Sequence, residues 1–362
     1  MSDSTKNIPS IKIAMLGGSG AGKTIYLATL FESLRELQSQ HKFFIDTENK
    51  TANKLHNIYL QLSSGNVTGT RTSDKYQFTL CVNNENKYRI CTFEYMDYRG
   101  DDISAWQENI NDKENEKIEE FVNNSNFVFG LLDGVKLLKY MREPKSPESR
   151  KWVQEDLFSI INTMDNRDIK VPVHFVITKW DSIKDLNEFT WKDIKEKLMD
   201  ISEIKGFVNK RPNITIRVIP VSSVGFGFFK PEVQDGITNM VRTEKYNLEP
   251  YQVEVPLAYV FFDLVRDAKQ KLDNQGGLIG LWYKILGLFK ENQIGNFLPN
   301  NVKPLGVIAP LFLDIMTSDA KDKYLKNARI SKEYSLLIDS LTRIKEDFED
   351  TNSTILRPSS RQ

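Results

Sequence analysis

Cysteine and histidine are scarce in this 362-residue sequence, which contains two cysteines and three histidines. No Cys/His cluster has the spacing of zinc ligands, so the sequence argues against a structural zinc site. Cys81 and Cys91 do not form a C-x-x-C pair. We therefore expect both to be free thiols in a reducing compartment.

Excess charge and long apolar segments are also lacking. Lysine plus arginine equals aspartate plus glutamate at 49 each, which argues against broad binding to nucleic acid or to an anionic membrane. No run reaches the roughly 18 apolar residues of a membrane-spanning helix. The polar start, MSDSTKNIPS, has no signal-peptide core. These absences predict a cytoplasmic protein of one large domain or two.

Short apolar segments alternate with amphipathic ones through the first two thirds of the chain. IKIAML, FVFGLLD, VPVHFVIT and ITIRVIPV have the composition of buried strands. YQFTLCV and YRICTFEYMD flank NNEN, which predicts a hairpin. The pattern predicts an α/β fold with a mostly parallel central sheet and helices on both faces, to which the hairpin adds one antiparallel edge strand.

The chain divides into four predicted parts: a flexible tail at 1–10, an α/β domain at 11–272, a C-terminal part at 273–350 packed on it, and a disordered tail at 351–362. The C-terminal part joins a Gly/Pro-broken apolar stretch to an amphipathic helix, SKEYSLLIDSLTRIKEDF. Its segment 278–289 has three interpretations. Core packing is favoured over a dimer or partner surface, and membrane contact is third.

A glycine-rich segment, GGSGAGKT at 17–24, lies between the first predicted strand and the first predicted helix. It fits the P-loop pattern G-x-x-x-x-G-K-[ST]. Glycine lets backbone N–H groups approach phosphate oxygens, and the helix N-terminus favours an anion. In such a loop Lys23 reaches the β- and γ-phosphates and the Thr24 hydroxyl binds Mg²⁺. The sequence therefore predicts a nucleoside triphosphate site.

Asp97 ends a predicted strand in TFEYMDYRGDD, and Gly100 follows three residues later. A carboxylate at a strand end beside a P-loop can hold Mg²⁺, usually through water. The glycine lets a backbone N–H contact the γ-phosphate and lets the loop move when that phosphate leaves. Asp133 in GLLDG is a second candidate acid, ranked below Asp97.

A second group of polar residues, Thr178, Lys179 and Asp181, stands where the strand VPVHFVIT ends and the next loop begins, and residues 178–181 are called the base loop. Guanine presents two adjacent donors that one carboxylate can accept, and adenine has no such pair, so Asp181 can select guanine. The Lys179 stem can lie along the base plane. Ser222 and Ser223, after the next strand, can present backbone N–H groups to the guanine carbonyl.

These motifs follow one another in the order that resembles Ras-like P-loop GTPases of the translation-factor-related class. GGSGAGKTIYLATLF, GTRTS, DYRGDD and the VEVPL segment further resemble the bacterial double-GTPase or GTPase-associated-system proteins, although the sequence has a single P-loop. The resemblance implies a GTPase domain at 11–272 that uses GTP or GDP and Mg²⁺. Implied nucleotide-binding residues are Gly18, Ser19, Gly20, Ala21, Gly22, Lys23, Thr24, Thr178, Lys179, Asp181, Ser222 and Ser223. Implied metal ligands are Thr24 and Asp97, and implied catalytic residues are Lys23, Thr70, Gly100 and Asp101.

Three positions depart from that resemblance. Thr178 replaces the commoner Asn and is expected to loosen the tie between base loop and P-loop. Asp101 occupies the place where Ras-like enzymes often carry Gln. The switch threonine is Thr68, Thr70 or Thr72, and Thr70 is favoured because it follows a glycine and precedes a strand.

The expected function is a guanine-nucleotide switch with slow, partner-stimulated hydrolysis. Its expected partner is an unidentified effector protein, and a homo-oligomer is left open. An ATP-dependent P-loop enzyme and a nucleotide-binding scaffold without turnover are the alternatives.

Overall fold

The structure is a computed structural model. It describes residues 10–36, 43–65, 74–84, 86–97, 120–166, 169–234, 237–243, 247–260, 262–263, 340–345, 348 and 354–356. Thr68, Thr70, Thr72, Gly100, Asp101 and the segment 278–289 lie outside these residues, so the predictions made for them stay predictions.

The described chain is built on a seven-stranded sheet of order β2-β3-β4-β1-β5-β6-β7. The strands are β1 (Ser10–Leu16), β2 (Phe43–Asp46), β3 (Asp74–Asn84), β4 (Asn86–Asp97), β5 (Phe127–Asp133), β6 (Val173–Thr178) and β7 (Ile216–Pro220). Strand β1 is parallel to both β4 and β5, and β6 and β7 continue the parallel part. Strand β3 is antiparallel to β4, as the hairpin predicts. Strand β2, which the sequence pattern does not predict, pairs antiparallel on the outer side of β3.

Helices cover both faces of the sheet, which confirms the predicted α/β architecture. They include α1 (Lys23–Glu36), α2 (Asn49–Ser64), α3 (Gly134–Arg142), α4 (Pro147–Lys151), α5 (Phe158–Asn166), α6 (Asp181–Lys184), α7 (Trp191–Asp200) and α8 (Ser202–Asn209). A π-helical turn, Trp152–Leu157, joins α4 to α5. Side chains of β1 alternate between two cores: Ile13 and Met15 lie in one, and Ala14 and Leu16 lie in the other. Apolar strands buried on both sides are typical of parallel sheets.

A small hairpin of β8 (Phe229–Gln234) and β9 (Ile237–Arg242) follows the main sheet. Beneath it Phe228 is buried in a small cluster with Leu62 of α2 and Val224. The hairpin therefore lies against the end of α2.

The C-terminal residues that the structure describes close one edge of the sheet. Backbone N–H groups of Val218 and Leu356 donate to Thr354 and Ile216 respectively, at 2.9 and 3.0 Å. Residues 354–356 thus pair on β7. The predicted disorder over 351–362 does not hold for these three residues, because the Thr354 carbonyl and the Leu356 N–H form hydrogen bonds with β7.

A buried cluster of polar side chains lies under this edge. Asp263 accepts hydrogen bonds from the Arg217 guanidinium at 2.5 Å and lies 2.8 Å from His174 Nε2. The other end of Arg217 donates to the Thr354 hydroxyl at 2.6 Å. The cluster joins β6, β7, the helical residues near 260 and the C-terminal segment.

Among the described helices none combines the length and the apolar character that crossing a membrane requires.

Candidate functional site

The P-loop fills the six residues between the end of β1 and the start of α1, residues 17–22. Gly20 and Gly22 have φ angles of +75° and +83°, a region that side chains with a Cβ rarely adopt. A Cβ added to Gly20 would meet no atom within 4 Å. These two glycines therefore shape the loop and leave its surface open.

Gly17 and Gly18 are glycine for a different reason, which is close packing. A Cβ on Gly17 would lie 3.1 Å from Leu131 Cβ. A Cβ on Gly18 would lie 2.6 Å from the carboxylate of Asp156, which belongs to the π-helical turn and forms an ion pair with Lys136. The four glycines thus serve two separate needs.

Lys23 is buried, with 6% of its surface exposed, at the start of α1. Its ammonium donates to the Gly17 carbonyl at 2.8 Å and to the Gly18 carbonyl at 3.3 Å. The charge is therefore held against the backbone at the start of the loop. Ser19 and Ala21 complete the loop, and Ala21 N–H donates to Gly18 O at 3.2 Å.

Thr24 lies at the start of α1, after the P-loop, and Asp97 ends the strand that pairs with β1. Thr24 is buried on the first turn of α1. Asp97 ends β4, and its Cα is paired with that of Met15 in β1, directly before the P-loop. A hydroxyl and a carboxylate are oxygen donors of the kind that Mg²⁺ takes, so the two residue types fit that ion.

The base loop begins at Thr178, the last residue of β6. Its hydroxyl lies 2.8 Å from the Ala21 carbonyl of the P-loop and 3.2 Å from the Leu132 carbonyl. Threonine therefore reaches the P-loop backbone directly, and the loosening expected relative to Asn stays a prediction. The tie holds the two loops at a fixed separation.

Asp181 of the base loop is hydrogen-bonded to Ser222, which lies in the loop after β7. Both are buried, and the Ser222 hydroxyl donates to Asp181 Oδ1 at 2.5 Å. The same hydroxyl oxygen accepts from Gly225 N–H at 2.9 Å. Burial raises the pKa of Asp181 to about 6, and the bond from Ser222 opposes that rise. Ser223 is half-buried beside this pair.

Asp133, the second candidate for the metal acid, lies at the end of β5, on the other side of β1 from β4. One carboxylate oxygen caps α3 by accepting from Val135 N–H at 2.9 Å and Lys136 N–H at 3.3 Å. The other accepts from the Lys179 ammonium at 2.6 Å. Both oxygens are therefore engaged within the protein.

The profile of the Double-GTPase 2 family matches residues 11–217, which is more than half of the 362-residue chain. The chain belongs to the Double-GTPase 2 family. The resemblance found in the sequence is thereby confirmed, and the matched region is a nucleotide-binding GTPase domain of the P-loop class. The comparison with curated proteins gave no match.

Two solved structures are similar to parts of this Double-GTPase 2 chain. One is described as Sup35 complexed with GDP, with 10% identity, a TM-score of 0.31 and coverage of 62% of this chain and 40% of that one. The other is the FeoB G-domain from Methanococcus jannaschii, with 15% identity, a TM-score of 0.31 and coverage of 60% and 88%. The chain thus spans about two fifths of the Sup35 chain, and at these values neither structure adds to the family assignment.

Two residues near the P-loop and the base loop are not predicted by the sequence motifs. Gly134, directly after Asp133, packs against the base loop, and Asp156 packs against Gly18. The Asp-Gly step before an amphipathic helix is an N-cap pattern that could have pointed to the Asp133 cap. No local pattern marks Asp156, because its contact is made across a large sequence distance.

Proposed function

We propose that the chain is a guanine-nucleotide-operated switch. The observation that carries the proposal is the buried Asp181 carboxylate, which Ser222 orients in a loop that Thr178 ties to the P-loop. A base held at Asp181 would therefore have its phosphates directed to the glycine-rich loop.

Guanine recognition is assigned to the base loop. Asp181 would accept the N1–H and N2–H donors of guanine, and its burial strengthens those bonds relative to water. Lys179 would lie along the base plane, and Ser222 and Ser223 would border the base carbonyl. Adenine offers no matching donor pair, which favours GTP and GDP over ATP.

Phosphate binding is assigned to Gly18–Thr24. On nucleotide binding, Lys23 would exchange the Gly17 and Gly18 carbonyls for phosphate oxygens. Thr24 and Asp97 would hold Mg²⁺, Asp97 through water. When bound, that ion neutralises charge on the β- and γ-phosphates.

Hydrolysis is proposed to be slow and stimulated by a partner. Asp101 stands where a water-positioning Gln is common, and a carboxylate beside a triphosphate is repelled. Thr70 and Gly100 are proposed to contact the γ-phosphate. An arginine supplied in cis or in trans can accelerate such reactions by roughly 10³–10⁵. An unidentified effector protein, in the cytoplasm where GTP is available, is the proposed partner.

Displacement of a fluorescent GDP analogue tests the nucleotide assignment. GTP should displace the probe far better than ATP, and Asp181→Asn should weaken GDP binding at least about a hundredfold, the loss of a charged pair of hydrogen bonds. The same variant should gain affinity for xanthosine nucleotides, whose donor pattern is altered. Asp165→Asn, which disturbs an ion pair with Lys210 and Arg211, is the control.

Two outcomes would contradict the proposal. Equal displacement by ATP and GTP in the parent protein would remove the guanine assignment. Undiminished binding by Lys23→Ala would remove the P-loop assignment. Multiple-turnover phosphate release that stays at background even with cell extract would favour a scaffold without turnover.

A further inference from the structure

Lys179 has an unusual backbone conformation in the base loop. Its φ angle is +52°, one of three positive values at non-glycine residues in the described chain. Such conformations persist where surrounding contacts impose them, and they concentrate at functional sites. The contacts of Lys179 therefore bear on how the base loop is held.

The side chain of Lys179 is held by Asp133. Its ammonium lies 2.6 Å from Asp133 Oδ2, and the Asp133 side chain is only 6% exposed. The second oxygen of Asp133 is fixed by Val135 N–H and Lys136 N–H at the start of α3. The Asp133 carboxylate is thus held in place by the start of α3, and its position sets the position of the Lys179 ammonium.

The backbone of the base loop is held by the neighbouring residue, Gly134. A Cβ at Gly134 would lie 2.4 Å from the Thr178 carbonyl oxygen and 2.8 Å from that of Lys179. The start of α3 therefore packs directly on the backbone of Thr178 and Lys179, which lie three and two residues before Asp181. Only glycine permits this approach.

Lys179 and Asp181 lie two residues apart and carry opposite charges. Lys179 already acts on Asp181 as one of the charges that favour its ionised form, against Asp185, which disfavours it. A closer Lys179–Asp181 pair would engage the carboxylate that guanine needs. In the structure Asp181 instead bonds Ser222, and Lys179 bonds Asp133.

We propose that Asp133 is a positioning residue for base recognition, which holds the Lys179 ammonium away from Asp181 and keeps the lysine stem extended where the base lies. The inference rests on the proposed function and adds a residue outside the motifs that define the site. Asp133 acts only through Lys179 and does not contact the nucleotide.

Asp133→Asn separates this role from that of a helix cap. Asparagine caps helices as well as aspartate does, so α3 keeps its start while Lys179 loses its charged partner. We expect GDP to bind roughly tenfold more weakly, the scale of one charge-assisted hydrogen bond. Dissociation of a fluorescent GDP analogue should be faster by a similar factor. Asp165→Asn, a remote carboxylate with cationic partners, should leave both values unchanged.

A double-mutant cycle gives a readout that a purely structural role would not move. In a Lys179→Met background no ammonium remains to be positioned, so adding Asp133→Asn should cause no further loss of GDP affinity. The pH midpoint of GDP binding supplies a second readout. It should move to lower pH in Asp133→Asn, because a freed Lys179 approaches Asp181 and stabilises its ionised form.

The inference is overturned if Asp133→Asn binds GDP like the parent, or if its effect is undiminished in Lys179→Met. Failure of the proposed function looks different. In that case the parent binds no guanine nucleotide, or Asp181→Asn binds GDP as the parent does.

Discussion

On the proposed function, Asp181 must be ionised to accept two hydrogen bonds from guanine, yet its burial opposes ionisation. Burial raises its pKa to about 6, and the hydroxyl of Ser222 limits that rise. The charge is thus available at neutral pH and is lost in mild acid. On the proposed function, Ser222 would aid base recognition by keeping the carboxylate ionised as well as by orienting it.

Guanine-nucleotide affinity should therefore fall as the pH is lowered through about 6. Protonated Asp181 has lost an acceptor site, so each pH unit below the midpoint should cost up to about tenfold in affinity. Ser222→Ala removes the bond that lowers the pKa, so its midpoint should lie at higher pH than that of the parent. The measurement is the affinity for GDP as a function of pH across this range, for both proteins. Protonation of the GDP phosphates affects both proteins equally, so a difference between the midpoints reports on Asp181. Coincident midpoints would show that Ser222 does not tune Asp181.

Gly18 offers a second test at the scale of one side chain. Gly18→Ala would place a Cβ 2.6 Å from the Asp156 carboxylate, so the Asp156 side chain must move and its ion pair with Lys136 must rearrange. We expect weaker nucleotide binding. We also expect the free energy of unfolding to fall by roughly 1–3 kcal/mol, which lowers the midpoint of thermal unfolding.

Asp156→Ala in the same chain removes the colliding atoms and should restore most of both losses. The measurements are GDP affinity and thermal unfolding of the two single variants and the double variant. If the double variant is as impaired as the sum of the single variants, the collision is not the cause.

The elements of this protein show clearly what local sequence can and cannot specify. Strand β1, the P-loop and α1 follow from an apolar run, a glycine-rich turn and helical spacing, and all three were predicted. Strand β2 was not, because its four residues, FFID, are too few to show alternation. The pairing of 354–356 on β7 was missed for the same reason. The contact of Asp156 with Gly18 was missed because the two residues are far apart in the sequence and only the fold brings them together.

The same limit applies to the function of individual glycines. The sequence explains Gly20 and Gly22 through the phosphate loop, but it cannot reveal that Gly17 and Gly18 are needed for packing against Leu131 and Asp156. Only the fold brings those partners together. A motif therefore predicts where a site lies more reliably than it predicts why each residue is there.

Helix α8 contains a glycine with no such need. A Cβ at Gly206 would meet no atom within 4 Å, and the residue lies inside Ser202–Asn209. Gly206→Ala should raise the free energy of unfolding by about 0.5–1 kcal/mol, because alanine loses less backbone entropy on forming a helix. Chemical denaturation measures the gain, and GDP affinity should stay unchanged. A destabilised variant would mean that the surroundings of Gly206 are more crowded than described.

For the whole molecule, two buried groups oppose one another as the pH changes. Burial lowers the pKa of His174 to about 4 from 6.5, so the unfolded chain takes up this proton first and stability falls as the pH drops from 6.5 to 4. The pKa of Asp181 is raised to about 6 from 3.8, so the folded chain takes up that proton first and stability rises over much of the same range. The two effects largely cancel between these limits.

Asp181→Asn should remove one side of this balance. In the nucleotide-free protein its free energy of unfolding should fall more steeply than that of the parent between about pH 6 and 4, by ~1.4 kcal/mol per pH unit. Urea denaturation at several pH values measures both slopes, with Asp165→Asn as the control. Parallel curves for parent and Asp181→Asn would show that Asp181 has an ordinary pKa in the folded protein.

The pairing of residues 354–356 on β7 has a consequence for the order of synthesis. A ribosome makes β7 long before it makes the segment that pairs on its outer side, and chains begin to fold from the N-terminus as they emerge. Until translation passes residue 356, the Val218 N–H and the Ile216 carbonyl have no partner from that segment. An open strand edge is a template for pairing with another chain. Nascent chains that stall in the last part of the message should therefore be the ones that most need a chaperone.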